Sequence, residues 1–208
     1  RANDLRFSTI ARLTAYLPMN DETRKLLGEA QPRGHIANLN VQWRGETKDI
    51  SLYEVRAGFN DLSMNRVGSF PGFSGLTGDV DGSDSGGTLT LDSKNLTLDA
   101  PQLFSEQVQF DKVVARLGWH RNSRGLEIKL SNVELANADL AGTIHGSYQF
   151  EPEGPGSVDA TVEMQRVAVN KTALYTPVSA VNKQTRDWLQ AALQDGQADK
   201  FRVRLRGG

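Results

Sequence analysis

Several groups of residues carry side chains that could do chemistry. Ser83-Asp84-Ser85-Gly86-Gly87 echoes the nucleophile segment of trypsin-like proteases. A nucleophilic serine needs a positioned base to take its proton. Here the leading glycine is replaced by Ser83, and the only upstream histidine, His35, sits in a Pro-Arg-Gly-His-Ile-Ala-Asn stretch without a base-bearing pattern. The segment reads as a polar hairpin turn. Asp79, Asp81 and Asp84 suggest a calcium loop, which would need Gly at its sixth place and Glu at its twelfth. Those places hold Asp84 and Thr90, so an Asp- and Gly-rich turn accounts for the run. His35, His120 and His145 stand far apart, none with a second ligand at metal spacing. No metal site is expected. Glu151 and Glu153 flank Pro152 and read as solvated. No glycine stretch ends in the Gly-Lys-Ser/Thr of a phosphate loop. Arg202, Arg204 and Arg206 form the polar side of one strand, a pattern that discourages edge pairing more readily than it makes a headgroup site.

What the chain does carry, repeatedly, is an apolar face. Leu39, Val41 and Trp43 alternate with polar residues, as do Tyr53, Val55, Ala57 and Phe59. Leu89 and Leu91 continue the pattern, then Leu96, Leu98 and Ala100 beyond an expected turn at Ser93-Lys94-Asn95. Val113, Ala115, Leu117 and Trp119 follow, then Leu126, Ile128 and Leu130. Ser131-Asn132 shifts the phase, as a bulge would, and Val133 and Leu135 resume it. Leu140, Ile144, Tyr148 and Phe150 share a face, then Val158, Ala160, Val162 and Met164, and last Phe201, Val203 and Leu205. Period two over short segments with short connections predicts about ten to twelve antiparallel strands. Gly68–Gly78 reads as a glycine-rich connector. Arg1–Leu17 reads as one or two strands.

Two amphipathic helices interrupt the strands. One starts at Asn20 as N-cap and buries Leu26, Leu27 and Ala30. The other follows Asn182 and presents Trp188, Leu189, Ala192 and Leu193. They belong to a repeat: Asn20–Gly45 aligns with Asn182–Gly207 without a gap at a shift of 162 positions. Thr23 falls on Thr185, Arg24 on Arg186, Leu27 on Leu189, Gly34 on Gly196 and Val41 on Val203. A long-period repeat with a helix at each junction speaks to architecture first.

Composition narrows the function classes. Of 208 residues, 24 are basic and 25 acidic, a net charge of −1 that gives no global pull toward nucleic acid. The hydrophobic share of 38% suits thin, one-faced sheets better than a thick core. The absence of cysteine excludes disulfide scaffolds and thiolate metal sites. No apolar run approaches a membrane span. Without a starting methionine or signal sequence, the chain reads as a piece of a longer protein.

Two short helices cannot cover so many half-apolar strands. Either the sheet closes on itself as a β-sandwich or barrel, a structural or adhesive module, or something else lies against it. A carbohydrate-processing enzyme would need paired carboxylates in a cleft, and no convincing pair is present.

Resemblance points to the second course. FPGFSGLTGDVDGSDSGGTLTLDSKNLTLDAPQLF, VVARLGWHR and LYTPVSAVNKQTRDWLQAALQDGQADKFRVRLRG resemble, in order, the YhdP branch of the AsmA-like proteins of Gram-negative bacteria. The similarity covers Phe70–Gly207, about two thirds of the chain. It implies an internal fragment of a long periplasmic rod of curved antiparallel β-sheet. The rod's continuous open hydrophobic groove carries phospholipid between inner and outer membranes, with no enzymatic activity and no cofactor. The inner-membrane anchor and outer-membrane contact would lie outside this chain. On this reading 1–45 ends one repeat with a junction helix at 20–31, 46–181 is one β-groove unit, and 182–208 opens the next. The expected groove lining is Val41, Trp43, Val55, Leu89, Leu91, Leu96, Leu98, Val113, Ala115, Leu117, Trp119, Leu126, Ile128, Leu130, Ile144, Tyr148, Val162, Val203 and Leu205. Leu26, Leu27, Trp188 and Leu189 are the expected packing anchors of the junction helices.

Overall fold

A computed structural model describes residues 2–6, 21–46, 49–68, 70–101, 103–151, 156–176, 178 and 182–207. Asn20 and most of the expected first strand region fall outside these residues. The element order is β1 (Ala2–Arg6), α1 (Asp21–Ala30), β2 (Arg33–Glu46), β3 (Asp49–Met64), β4 (Gly72–Ser83), β5 (Gly86–Asp99), β6 (Val108–Asn122), β7 (Gly125–Ala136), β8 (Leu140–Phe150) and β9 (Ser157–Ala168). A 3-10 turn (Val169–Lys171), α2 (Thr172–Tyr175), α3 (Lys183–Ala192), β10 (Gln197–Ala198) and β11 (Phe201–Gly207) complete it.

The described strands form one antiparallel sheet in simple sequence order, β1 to β9. β10 and β11 lie one after the other along the free side of β9. β1 and β11 belong to opposite edges and do not pair, so the sheet is open. A β-sandwich requires two sheets facing each other, whereas these strands make a single one, so the expected open antiparallel sheet is present and the sandwich alternative is not favoured. The meander follows from the connections. Chains of a few residues can only return antiparallel, and their side chains make the returns. Ser83 Oγ accepts from the backbone N–H of Ser85 and Gly86, both at 3.3 Å, and closes the β4–β5 hairpin. Asn122 Oδ1 accepts from Arg124 N at 2.9 Å, and Asn137 Oδ1 from Asp139 N at 3.0 Å and Leu140 N at 2.9 Å. These side chains satisfy amides that the tight turns leave without ladder partners.

Three sequence expectations change. The glycine-rich connector is mostly strand, because Gly72–Ser83 pairs along both flanks as β4. The expected turn at Ser93-Lys94-Asn95 lies inside the continuous strand β5. Ser74 pairs Thr97 and Gly78 pairs Leu91, so β5 advances six residues against four of β4. The excess is absorbed by Asn95, whose φ of 55° is left-handed, and by Ser93, which is fully buried. Ser93 Oγ accepts from Thr77 N at 2.9 Å and donates to Thr77 O at 3.1 Å, replacing the missing ladder bonds. Third, α2 adds a helix that periodicity did not reveal. The expected bulge at Ser131-Asn132 is present: Arg116 pairs Asn132 while Leu117 pairs Leu130.

The repeat in the sequence is a repeat in the backbone. α1 and α3 begin and end at positions 162 apart. Gly34 and Gly196 have φ of 121° and 115°, and Asn38 and Lys200 both have φ of 53°. The pairs Ala2↔Leu39 and Arg6↔His35 recur as Met164↔Phe201 and Ala168↔Gln197. At α3 the expected N-cap forms, with Asn182 Oδ1 accepting from Thr185 N at 2.8 Å.

One end of the strands is sealed by the chain itself. Leu96, Val108, Phe110, Val113, Leu140 and Val167 form a buried cluster, with Phe104, Leu174 and Tyr175 packed against it. Tyr175 Oη accepts from Asn137 Nδ2 at 2.8 Å and donates to Asp139 Oδ2 at 2.9 Å, which fixes α2 to the β7–β8 turn. Burial, above all, pushes the Tyr175 hydroxyl up to about 12. Replacing Ser93 with Ala is expected to leave the half-buried Thr77 N–H and C=O without the hydroxyl that serves both. The cost is about 1–3 kcal/mol, read as a lower midpoint in urea denaturation at unchanged slope.

Candidate functional site

In an antiparallel sheet, residues directly opposite one another share a face. The ladder therefore assigns every strand residue to one of two sides. One transverse row runs Val41, Val55, Gly82, Gly87, Trp119, Ile128, Tyr148 and Val158. The next runs Ala57, Val80, Leu89, Leu117, Leu130, Gly146, Ala160 and Leu205. A third runs Phe59, Gly78, Leu91, Ala115, Val133, Ile144, Val162 and Val203. Across eight consecutive strand positions these rows contain no charged or amide side chain. The bulge at Ser131-Asn132 keeps Leu130 and Val133 on the same side despite their odd spacing.

The opposite face is polar and internally paired. Arg56 meets Asp81 at 2.6 Å, Lys112 meets Glu134 at 3.5 Å and Arg202 meets Glu163 at 2.7 Å. Arg204 and Arg206 both reach Asp159, at 3.0 and 2.8 Å. Each contact ties neighbouring strands on the water side. The basic trio of β11 is thus committed to β9 carboxylates. Asp81, one member of the calcium-like run, is committed to Arg56. His35, His120 and His145 are all exposed. Among the described residues no three His, Asp or Glu side chains cluster as a metal site would require.

The expected lining residues divide by accessibility. Leu91, Leu96, Val113 and Ala115 are buried by the protein, so a ligand would not reach them in this structure. Val55, Leu89, Leu98, Leu117, Trp119, Leu126, Ile128, Leu130, Ile144, Tyr148 and Val162 are half-buried. Val41, Val203 and Leu205 are exposed. Trp43 stands in register with Tyr53. Of the junction-helix anchors, Leu26, Leu27 and Leu189 are half-buried, whereas Trp188 is 63% exposed.

Sequence reading missed Val80, because its neighbours Asp79 and Asp81 looked like turn residues. It also missed why Gly82 and Gly87 are glycines. A Cβ at Gly82 would lie 2.3 Å from the Trp119 ring, and one at Gly87 would lie 2.4 Å from it. The indole lies across these two facing glycines, spread along the apolar floor. Beyond it, Tyr148 and Phe150 meet edge to face with ring centroids 4.5 Å apart. The one available signal was the Gly78-Asp-Val-Asp-Gly82 alternation followed by Gly86-Gly87. Its period of two is that of a strand with small residues on one face.

Gly82→Val is expected to lift Trp119 off the floor and to destabilise the sheet by about 1–3 kcal/mol through overpacking, since a Cβ there meets only the Trp119 ring. With Trp43 and Trp188 replaced by Phe, the emission of Trp119 would shift to the red, and Trp119→Leu in the Gly82→Val background would recover stability. On the polar face, the hydrogen bonds of Arg204 and Arg206 hold the Asp159 carboxyl down at about 2. A depressed carboxylate pKa contributes stability above the unfolded value, lost as pH falls through the folded one. The β9–β11 contribution should therefore persist at pH 4 and disappear between about pH 4 and pH 2. Asp159→Asn should abolish that acid step in an NMR titration.

The family model described as "YhdP protein" matches residues 1–208. Among curated proteins, the chain is 22% identical over 211 residues to the "Intermembrane phospholipid transporter YhdP" of Escherichia coli (strain K12). That alignment covers 96% of this chain and 16% of the relative, so the chain spans about one sixth of the relative's length. No solved structure matches. With the family model matched from end to end, the chain belongs to the YhdP family.

Proposed function

We propose that this chain is one segment of a conduit that shields phospholipid acyl chains from water between two membranes. The observation that carries the reading is the set of uncharged rows on one face of a single open sheet, half-exposed toward the β4–β5 and β6–β7 turns. A soluble sheet does not normally leave so wide an apolar face to water. Acyl chains match it in kind. Each buried methylene contributes about 0.8 kcal/mol, so one long chain offers on the order of 10 kcal/mol of gross driving force. These contacts have no preferred direction, and a lipid can slide from row to row without a deep stopping point. The work is shielding and passage, with no bond made or broken.

The geometry sets the scale. Ten strand positions at about 4.8 Å span roughly 45 Å, room for a few lipids in file. A full crossing between membranes needs more such units, which suits a chain matching 16% of a longer relative. No described helix is long and apolar enough to cross a membrane. In this reading the chain works in the periplasm, and the inner-membrane anchor and outer-membrane contact belong to other parts of the protein. Its lining is the accessible subset, centred on Leu89, Leu117, Trp119, Ile128, Leu130 and Tyr148. Leu91, Leu96, Val113 and Ala115 form its sealed wall.

A photocrosslinker placed at Leu117 or Ile128 is expected to capture phospholipid in cells, and one at Val113 to capture several-fold less. Ile128→Asp should reduce capture at Leu117 several-fold while the fragment keeps its cooperative unfolding transition. Native mass spectrometry of the purified fragment should find co-purified phospholipid. Equal capture at Val113 and Leu117, or none at either, would remove the reading.

A further inference from the structure

The apolar face ends on a row of different composition. Two residues outward from Trp119, Ile128 and Tyr148, Arg121 pairs Leu126 and Leu126 pairs Phe150. Alternation along the strands places all three on the apolar side. Tyr53 continues the row across the β4–β5 hairpin: its carbonyl accepts from Asp84 N at 3.3 Å, and the Ser85 carbonyl accepts from Arg121 N at 2.8 Å. Tyr53 and Phe150 are exposed rings, and Arg121 is the charged side chain that the strands contribute to this row. The three rows inward of it carry no charge.

Arg121 differs from the cations that tie the polar side together. Arg56, Lys112, Arg202 and Arg204 each meet a carboxylate of a neighbouring strand. The Arg121 side chain is exposed and makes no ion pair or hydrogen bond among the described residues. Asp84 and Glu151, the acidic residues of the adjoining turns, do not pair with it. Arg124, on the same hairpin, lies instead with Glu127 and Asp159 on the polar side. A guanidinium at the end of an apolar face can lay its methylenes on that face and keep its charge in water. Aromatic rings beside a cation, at the boundary between apolar surface and water, are the side chains that gather at the headgroup level of a membrane.

We infer that Arg121 is a phosphate contact at the rim of the conduit: its guanidinium binds the phosphodiester of a lipid headgroup while the acyl chains run along the strands toward the sealed end. This rests on the conduit reading, which it deepens by naming the residue that recognises the headgroup and the way the lipid lies. The planar fork of an arginine presents two parallel N–H donors to phosphate oxygens. The depth of the face agrees. From Arg121 inward to the buried Ala115 is six residues along β6, about 20 Å at the rise of a strand. One leaflet of hydrocarbon is about 15 Å, half of a bilayer core. A phosphate at Arg121 therefore lays its tails over Trp119 and Leu117 and ends them where the protein seals the face. The reverse orientation would press the phosphate against the buried cluster of Leu96, Val113 and Leu140, an uncompensated burial of charge. Because Arg121 is exposed, salt screens its attraction, and it orients a passing headgroup without trapping it.

The test uses the full-length polypeptide with a photocrosslinker at Leu117. It is loaded from vesicles that carry labelled phosphatidylethanolamine or labelled diacylglycerol with the same acyl chains, so that the two tracers differ in the phosphodiester headgroup and share their tails. Phosphatidylethanolamine should be captured several-fold more than diacylglycerol. Arg121→Gln should lower that ratio several-fold, Arg121→Lys should recover part of it, and Arg124→Gln, on the polar side, should leave it where it was. A ratio at one position is insensitive to differences in folding or loading between variants. An unchanged ratio in Arg121→Gln overturns the inference, and so does an equal fall in Arg124→Gln, the mark of a general effect of charge. Inorganic phosphate at millimolar concentration should not alter the ratio. If it brings phosphatidylethanolamine down to the level of diacylglycerol, Arg121 holds free phosphate and the lipid assignment is overturned. Capture of neither tracer by the unsubstituted protein would remove the conduit and this inference with it, whereas equal capture of both would remove the headgroup contact alone.

Discussion

An antiparallel ladder one layer thick satisfies the backbone of every inner strand but leaves one apolar face without a partner layer. Every other feature of this chain answers to that constraint. The ladder runs unbroken from β1 to β9, so the backbone amides are consumed by neighbouring strands. The polar face is consumed by ion pairs between neighbours. The apolar face remains. At one end of the strands the protein covers it with Phe104, α2 and the Tyr175–Asn137–Asp139 hydrogen bonds. Toward the opposite turns it is left half-open. Burial of a nonpolar side chain contributes about 1.5–3 kcal/mol, and a sheet that withholds much of this from its own folding depends on the sealed end for stability.

The interruptions in the ladder are placed to keep that face continuous. The bulge at Ser131-Asn132 returns Val133 to the side of Leu130. The left-handed Asn95 does the corresponding work in β5, so that Leu96 enters the cluster around Val113. Ser93 supplies with one hydroxyl the donor and acceptor that the bulge removes from Thr77. Gly82 and Gly87 give up side chains so that Trp119 can lie flat. Each departure from ideal pairing preserves the uniformity of the apolar surface at a local cost. In the conduit we propose, such uniformity would favour passage, because a sliding acyl chain is held back by any single position that binds much more tightly, or much less, than its neighbours.

Much of this was legible in the sequence. Alternation with period two located most strands. The pairing of Arg202, Arg204 and Arg206 opposite Phe201, Val203 and Leu205 gave the two faces of the last one. The gapless repeat anticipated two helices whose ends are 162 positions apart, because Asn182 and the glycines at 34 and 196 are local signals read within a few residues. Where sequence reading failed, the local signal was ambiguous. Ser-Lys-Asn suits a hairpin turn and also suits a bulge with a left-handed residue, since both ask for the same side-chain hydrogen bonds and the same φ. Asp79 and Asp81 looked like turn residues, yet they are the polar side of β4 facing Arg56 and its neighbours.

Alternation, capping and repeat length are properties of neighbours along the chain, and the sequence determined them by itself. It could say that a residue such as Val113 or Ile128 points to the apolar side. Only the tertiary structure decided that Val113 is sealed and Ile128 is accessible. That difference depends on Phe104, Leu174 and Tyr175, which arrive from distant parts of the chain and cover one end of the strands. It likewise decided that Ala30 is buried and Ala192 is not. The two residues end their helices at equivalent places of the repeat, and burial is a property of what packs against a side chain from elsewhere.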